Sequence, residues 1–196
     1  MQDIWIETPK GKIFGKTAGS VDAPLIIGIH GWSQKNGWHT WEPVIERLAA
    51  AGYRVISVDM PGWGQSPKWD KVAGKSAVIA ILDALGVYQA KALMGKSWGG
   101  GVCVAFANAF PDRVDRLLLT APAVRGGVEM FARLTQPVLL AWADDDPMIP
   151  VQNGLDLAEV LPTCTLVRYP AGGHNAAPEN GADFVEKARA FLKAKG

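Results

Sequence analysis

A chain of 196 residues, 48% of them apolar and 20% charged, is long enough to bury about 70% of the surface its unfolded form exposes. It reads as one domain over residues 1–196. The net charge of +1, with no basic stripe or block of like charge, argues against nucleic acid or an anionic membrane as partner. The N-terminal run from Met1 to Glu7 is acidic and lacks an apolar h-region. No apolar stretch reaches the length of a membrane span, so the expected location is cytoplasmic.

Taken in chain order, residues 4–7 and 12–17 predict a hairpin around Pro9-Lys10-Gly11. Short apolar runs then predict strands at 25–29, 54–58, 90–94, 115–120, 137–142 and 164–168. Helix-period stretches fit 40–51, 71–86, 98–110, 152–160 and 178–194. This alternation defines an α/β protein: a mostly parallel central sheet of about eight strands, flanked by helices on both faces. There are no repeats, low-complexity tracts or linkers. Cys103 falls in a predicted helix and Cys164 near a strand start, which suits buried thiols better than a disulfide. No His/Cys cluster has metal-ligand spacing, and nothing calls for a metal or other cofactor.

The run Gly95-Lys96-Ser97-Trp98-Gly99 stands where a strand meets a helix. A serine at the tip of such a turn projects its hydroxyl and faces the first turn of the helix, while the glycines allow strand and helix to approach closely. A phosphate-loop reading of Gly95-Lys96-Ser97 fails, because the glycine required five positions earlier is Ala90. Serine needs a base and a carboxylate that orients the base. His174, in the turn-rich run Tyr169 to Asn175, is the one histidine downstream of Ser97. Between them, an apolar strand pattern ends in Asp144-Asp145-Asp146-Pro147. Asp146 is the preferred partner of His174, with Asp144 the alternative, since the other two carboxylates suit turn-capping positions.

With these residues in place the chain resembles an α/β-hydrolase over residues 12–194. The order Ser97, Asp146, His174 is that family's order. His30-Gly31-Trp32 after one strand resembles its oxyanion turn, and Asp59-Met60-Pro61-Gly62-Trp63-Gly64-Gln65-Ser66 its loop after the next. The resemblance implies oxyanion donors at the backbone N–H groups of Trp32 and Trp98, and structural roles for His30 and Asp59. Only residues 121–134 are available where many relatives insert a helical cap, so no cap domain is expected and the chain is similar to a small lidless branch. Trp63, Trp142 and Met148, with Trp32, are expected to wall the substrate pocket, and Met60 and Met130 are further options. Trp5 and Trp41 suit the core. Lys96 suits a side chain leaning to solvent better than a cation offered to an anionic substrate. The function implied is a serine hydrolase cleaving small carboxylic esters through an acyl-enzyme. Acyl transfer or thioester cleavage by the same residues, and a ligand-binding protein on a hydrolase fold, are the alternatives. The expected partner is a small-molecule ester or other acyl substrate.

Overall fold

In a computed structural model that describes residues 1–70, 74–123 and 127–194, eight strands form one sheet. They are β1 (Gln2–Thr8), β2 (Gly11–Ala18), β3 (Leu25–Ile29), β4 (Arg54–Val58), β5 (Ala90–Lys96), β6 (Val114–Thr120), β7 (Val138–Ala143) and β8 (Cys164–Tyr169). Their spatial order is β1-β2-β4-β3-β5-β6-β7-β8. β1 and β2 pair antiparallel, as do β2 and β4, and every other pairing is parallel. The α/β architecture expected from the strand–helix alternation is therefore present.

The period of two along each strand builds two cores. Ile27, Leu93, Leu117, Leu119 and Leu140 point to one face and pack with α2 (Gly74–Ala84), α3 (Trp98–Ala109), α4 (Glu129–Ala132) and α5 (Val151–Val160). Ile26, Met94, Leu118 and Leu139 point to the other, where α1 (Glu42–Ala50), α6 (Ala176–Glu179) and α7 (Gly181–Lys193) close over them. Strands buried on both faces must be apolar at nearly every position, which is why these segments read as continuous runs.

Three elements depart from expectation. The predicted helix over 40–51 begins as a tight 3-10 turn, Trp38–Trp41, and becomes α1 only at Glu42, with Pro43 in its first turn. The predicted helix over 178–194 is two helices that meet at Asn180, whose amide donates to the carbonyls of Ala171 and Ala176. The predicted start of the 71–86 helix lies outside the described residues, and α2 ends at Ala84. Trp5, expected in the core, is 42% exposed. β1 is an edge strand that turns Ile6 inward, so Trp5 rests on Phe14 (centroids 5.1 Å apart) beneath the Lys12 ammonium.

No helix among the described residues is long and apolar enough to cross a membrane. Between β6 and β7 the described residues hold one helix, the single-turn α4, and no cap domain.

Candidate active site

In a parallel sheet the loops that follow the strands gather at one edge, where ligands bind. Here that edge collects the turns after β3 (His30 to Trp32), β4 (Asp59 to Ser66), β5 (Ser97), β7 (Asp144 to Asp146) and β8 (Pro170 to His174).

Ser97 has φ 52° and ψ −118°, a left-handed conformation that a non-glycine residue adopts only when its surroundings force it. Those surroundings are explicit. The Ser97 N–H donates to Thr120 O at 2.9 Å, and Ser97 O accepts from Ala123 N–H (2.9 Å) and Gly101 N–H (3.2 Å). A methyl at Gly99 would lie 2.5 Å from the carbonyl oxygens of Ile29 and His30. One at Gly95 would lie 2.6 Å from Cys103 Sγ and from Gly99 O. The two glycines thus let β3, β5 and α3 converge, and the β3 turn reaches the serine: a Cβ on Gly31 would be 3.6 Å from Ser97 Cβ.

Asp146 and His174 meet across the same edge, His174 Nδ1 to Asp146 Oδ2 at 2.9 Å. The Asp146 side chain is 0% exposed. Its other oxygen accepts the N–H groups of Met148 (2.8 Å) and Ile149 (3.0 Å), so the carboxylate is fully engaged in one orientation. A carboxylate facing Nδ1 keeps the proton there and leaves Nε2 with its lone pair. Asp144 pairs instead with Arg168 at 2.8 Å. Asp145 accepts the Gly173 N–H at 2.8 Å, holding the turn before His174. Among the described residues no hydrogen bond links the Ser97 hydroxyl to His174, and such contacts commonly tighten only when substrate binds.

His30 and Asp59 shape loops. His30 Nε2 accepts the Met60 N–H at 3.0 Å while Nδ1 bonds Gly31 O at 2.7 Å. Burial pushes its imidazole below the usual histidine range, which keeps the ring neutral and able to accept. Asp59 receives the N–H groups of Trp38 (2.7 Å) and Gln65 (2.9 Å). Cys103 is a fully buried free thiol whose pKa burial raises, which excludes it as a nucleophile.

Trp32, Trp63 and Trp98 form a mutually packed triplet. Trp63 stacks on Trp98 at 5.1 Å, and Trp32 meets both edge-on, at 5.2 and 5.4 Å. Trp98 lines two cavities. One, of about 250 Å³, is lined by Gly101, Val102, Ala105, Ala123 and Met130. The other, of about 130 Å³, lies against Trp32, Met60, Pro61 and Trp63. Two expected wall residues lie elsewhere. Trp142 is 0% exposed: it points with Leu140 toward α5, packs over Gly154 and donates its indole N–H to Ile149 O at 3.0 Å. Met148 is 71% exposed and borders neither cavity.

Lys96, expected to lean toward solvent, is 7% exposed. It has the parity of Met94, so its chain runs under the sheet edge on the α6 side, and its ammonium donates to Asn175 Oδ1, beside His174.

A family model described as the alpha/beta hydrolase fold matches residues 24–128, more than half of the chain, and the chain belongs to that family. It is similar to the 2-hydroxy-6-oxononadienedioate/2-hydroxy-6-oxononatrienedioate hydrolase of Burkholderia vietnamiensis, 37% identical over 131 residues, or 64% of this chain and 45% of that protein. Epoxide hydrolase B of Mycobacterium tuberculosis is 36% identical over 98 residues, 46% of this chain and 26% of its own. The chain thus spans less than half the length of these curated relatives. Among solved structures, a CIB-like hydrolase from Thermoplasma acidophilum matches with a TM-score of 0.89 at 24% identity, over 97% of each chain. The naproxen esterase of Bacillus subtilis matches with a TM-score of 0.85 at 17% identity, over 98% of this chain and 91% of that one. At these identities the likeness is one of fold.

Proposed function

We propose that the protein is a serine hydrolase acting on small carboxylic esters. The observation that carries this reading is the pairing of two features at one sheet edge: Ser97 held at positive φ between β5 and α3, and His174 locked on a buried, fully engaged Asp146. His174 Nε2 takes the Ser97 proton as the serine oxygen bonds to the ester carbonyl carbon. The oxyanion is received by the backbone N–H groups of Trp32 and Trp98, the second at the first turn of α3. The protonated imidazole returns its proton to the departing alkoxide, leaving an acyl-enzyme, and water activated by the same base then releases the acid. Asp146 keeps the imidazole in the useful tautomer and balances its charge.

The cavities beside Trp98 support a substrate with a compact apolar acyl or alcohol group, small enough for a volume of about 250 Å³. Thioesters would follow the same course, as would acyl transfer to an acceptor other than water.

The test is labelling with a fluorophosphonate probe, wild type beside Ser97→Ala, with the adduct mapped by mass. An adduct on Ser97 that the variant lacks is expected. Folded wild-type protein that takes up no probe would overturn the proposal in favour of ligand binding without turnover. Substrate panels of short esters, thioesters and hydroxy-oxo dienedioates then separate the chemistries. The last class belongs in the panel because a curated relative is named for it.

A further inference from the structure

Burying an ammonium costs several kcal/mol unless it is paired, and proteins seldom leave a lysine in such a place without compensation. Lys96 is buried directly before Ser97, and burial pushes its amine below the usual lysine range. The acceptor it finds among the described residues is a neutral amide oxygen, Asn175 Oδ1, seventy-nine positions along the chain. Its charge is felt by Asp146 and Glu179, the two carboxylates that favour the protonated amine. A neutral methionine would fill the same volume at lower cost, so volume alone does not account for an amine here.

The placement is specific. Lys96 ends β5, the strand that delivers Ser97, and Asn175 follows His174 in the turn Gly173–Asn175. That turn is otherwise tied to the sheet by the Asp145 carboxylate on Gly173 N–H and by His174 on Asp146. Both of those ties lead to the loop after β7. Lys96 supplies the one described side-chain tie from the His174 turn to the Ser97 strand.

We infer that Lys96 is a positioning residue for the Ser97–His174 pair: its ammonium fastens the His174 turn to the strand carrying Ser97. The inference rests on the proposed serine-hydrolase reading. The titratable groups that feel its charge are Asp146 after β7, Glu179 on α6 and His30 after β3.

Fluorophosphonate labelling rates of wild type, Lys96→Met, Lys96→Arg and Asn175→Ala, followed from pH 5 to 9 with a melt of each protein, test this. Lys96→Met is expected to label at least roughly tenfold more slowly. Lys96→Arg, which keeps a charged donor for Asn175, is expected to recover most of the wild-type rate. Asn175→Ala breaks the tie from the other side and is expected to slow labelling without unfolding. A folded Lys96→Met with wild-type rate and profile would overturn the inference. A Lys96→Arg protein as slow as Lys96→Met would overturn it as well, leaving Lys96 a packing residue. Failure of wild type itself to label would instead sink the reading of the site.

Discussion

Replacing Asp146 by Asn tests the site most sharply, because the surrounding hydrogen bonds decide which way the amide must turn. One end of the side chain receives the N–H groups of Met148 and Ile149, and the other faces His174 Nδ1 at 2.9 Å. In Asp146→Asn the amide oxygen must take the two backbone donors, which directs the NH₂ at Nδ1. The reverse orientation would set NH₂ against two buried N–H groups, at about 1–3 kcal/mol for each donor left unsatisfied. An NH₂ facing Nδ1 forces the ring proton onto Nε2, the nitrogen that must accept from Ser97. With a bias of about 2–6 kcal/mol and a tenfold change for each 1.4 kcal/mol, roughly thirtyfold to ten-thousandfold of the base-competent tautomer is lost. The fold should survive, since size and backbone contacts are kept. Second-order labelling rates and ester hydrolysis at fixed pH, beside thermal melts, provide the measurement. A folded Asp146→Asn protein labelling within threefold of wild type would refute the assignment of Asp146 as the group that orients His174.

Three further outcomes follow from geometry outside that pair. Gly99→Ala places a methyl 2.5 Å from two backbone oxygens that cannot swing aside, so a loss of about 1–3 kcal/mol or more should appear in melts, together with slower labelling of Ser97. Trp63→Ala removes the stacking partner of Trp98 and the edge contact of Trp32, each worth about 0.5–1.5 kcal/mol. Steady-state kinetics with an apolar ester should show KM rising roughly fivefold or more, with kcat changed less; an unchanged KM would remove Trp63 from the pocket wall. His30 has a folded pKa below its unfolded value of about 6.5, so above that value both states are neutral and it adds no pH dependence. As pH falls below about 6.5 the unfolded state takes up a proton the folded state refuses, and stability is lost. His30→Leu should therefore melt lower at pH 8, where Met60 N–H lacks its acceptor, yet show a shallower decline from pH 6.5 to 5; parallel declines would count against the argument.

The strands were legible because a sheet covered on both faces demands unbroken apolar runs, and Gly, Pro and Asp punctuate them. The same property hid side-chain direction. All six residues of β7 are buried, so no alternation of polar and apolar marks which face Trp142 takes, and a tryptophan beside a predicted loop passes for a pocket wall. Trp63, on a loop, is only partly buried against α3 and does line a cavity. Helix ends were hidden for a different reason. The break at Asn180 accompanies the close seat of Gly181 against Pro43, where a Cβ would lie 3.3 Å from the Pro43 carbonyl oxygen. That contact joins α7 to α1 and leaves no trace in local periodicity. Lys96 belongs to the same class: a lysine at a strand end ordinarily carries its charge to water, and only the fold brings Asn175 to meet it.

Three consecutive aspartates pose the remaining question, since composition cannot distinguish them. Their geometry divides them by what each turn position faces. Asp144 continues the direction of β7 and meets Arg168 on the neighbouring strand, at the exposed rim. Asp145 turns toward the backbone of the His174 loop and accepts Gly173 N–H. Asp146 is the one turned inward, and it can be, because the chain folds back over it and supplies the Met148 and Ile149 amides. Pro147 has no N–H to offer, so the two donors on Asp146 Oδ1 come from beyond it, and the other oxygen is left for His174. Three donors converge on the buried Asp146 carboxylate, against two from one guanidinium on exposed Asp144 and one on exposed Asp145. The preference for the aspartate next to proline thus has a physical basis: the residue that lacks an amide proton sets the spacing at which the following amides close on the carboxylate before it.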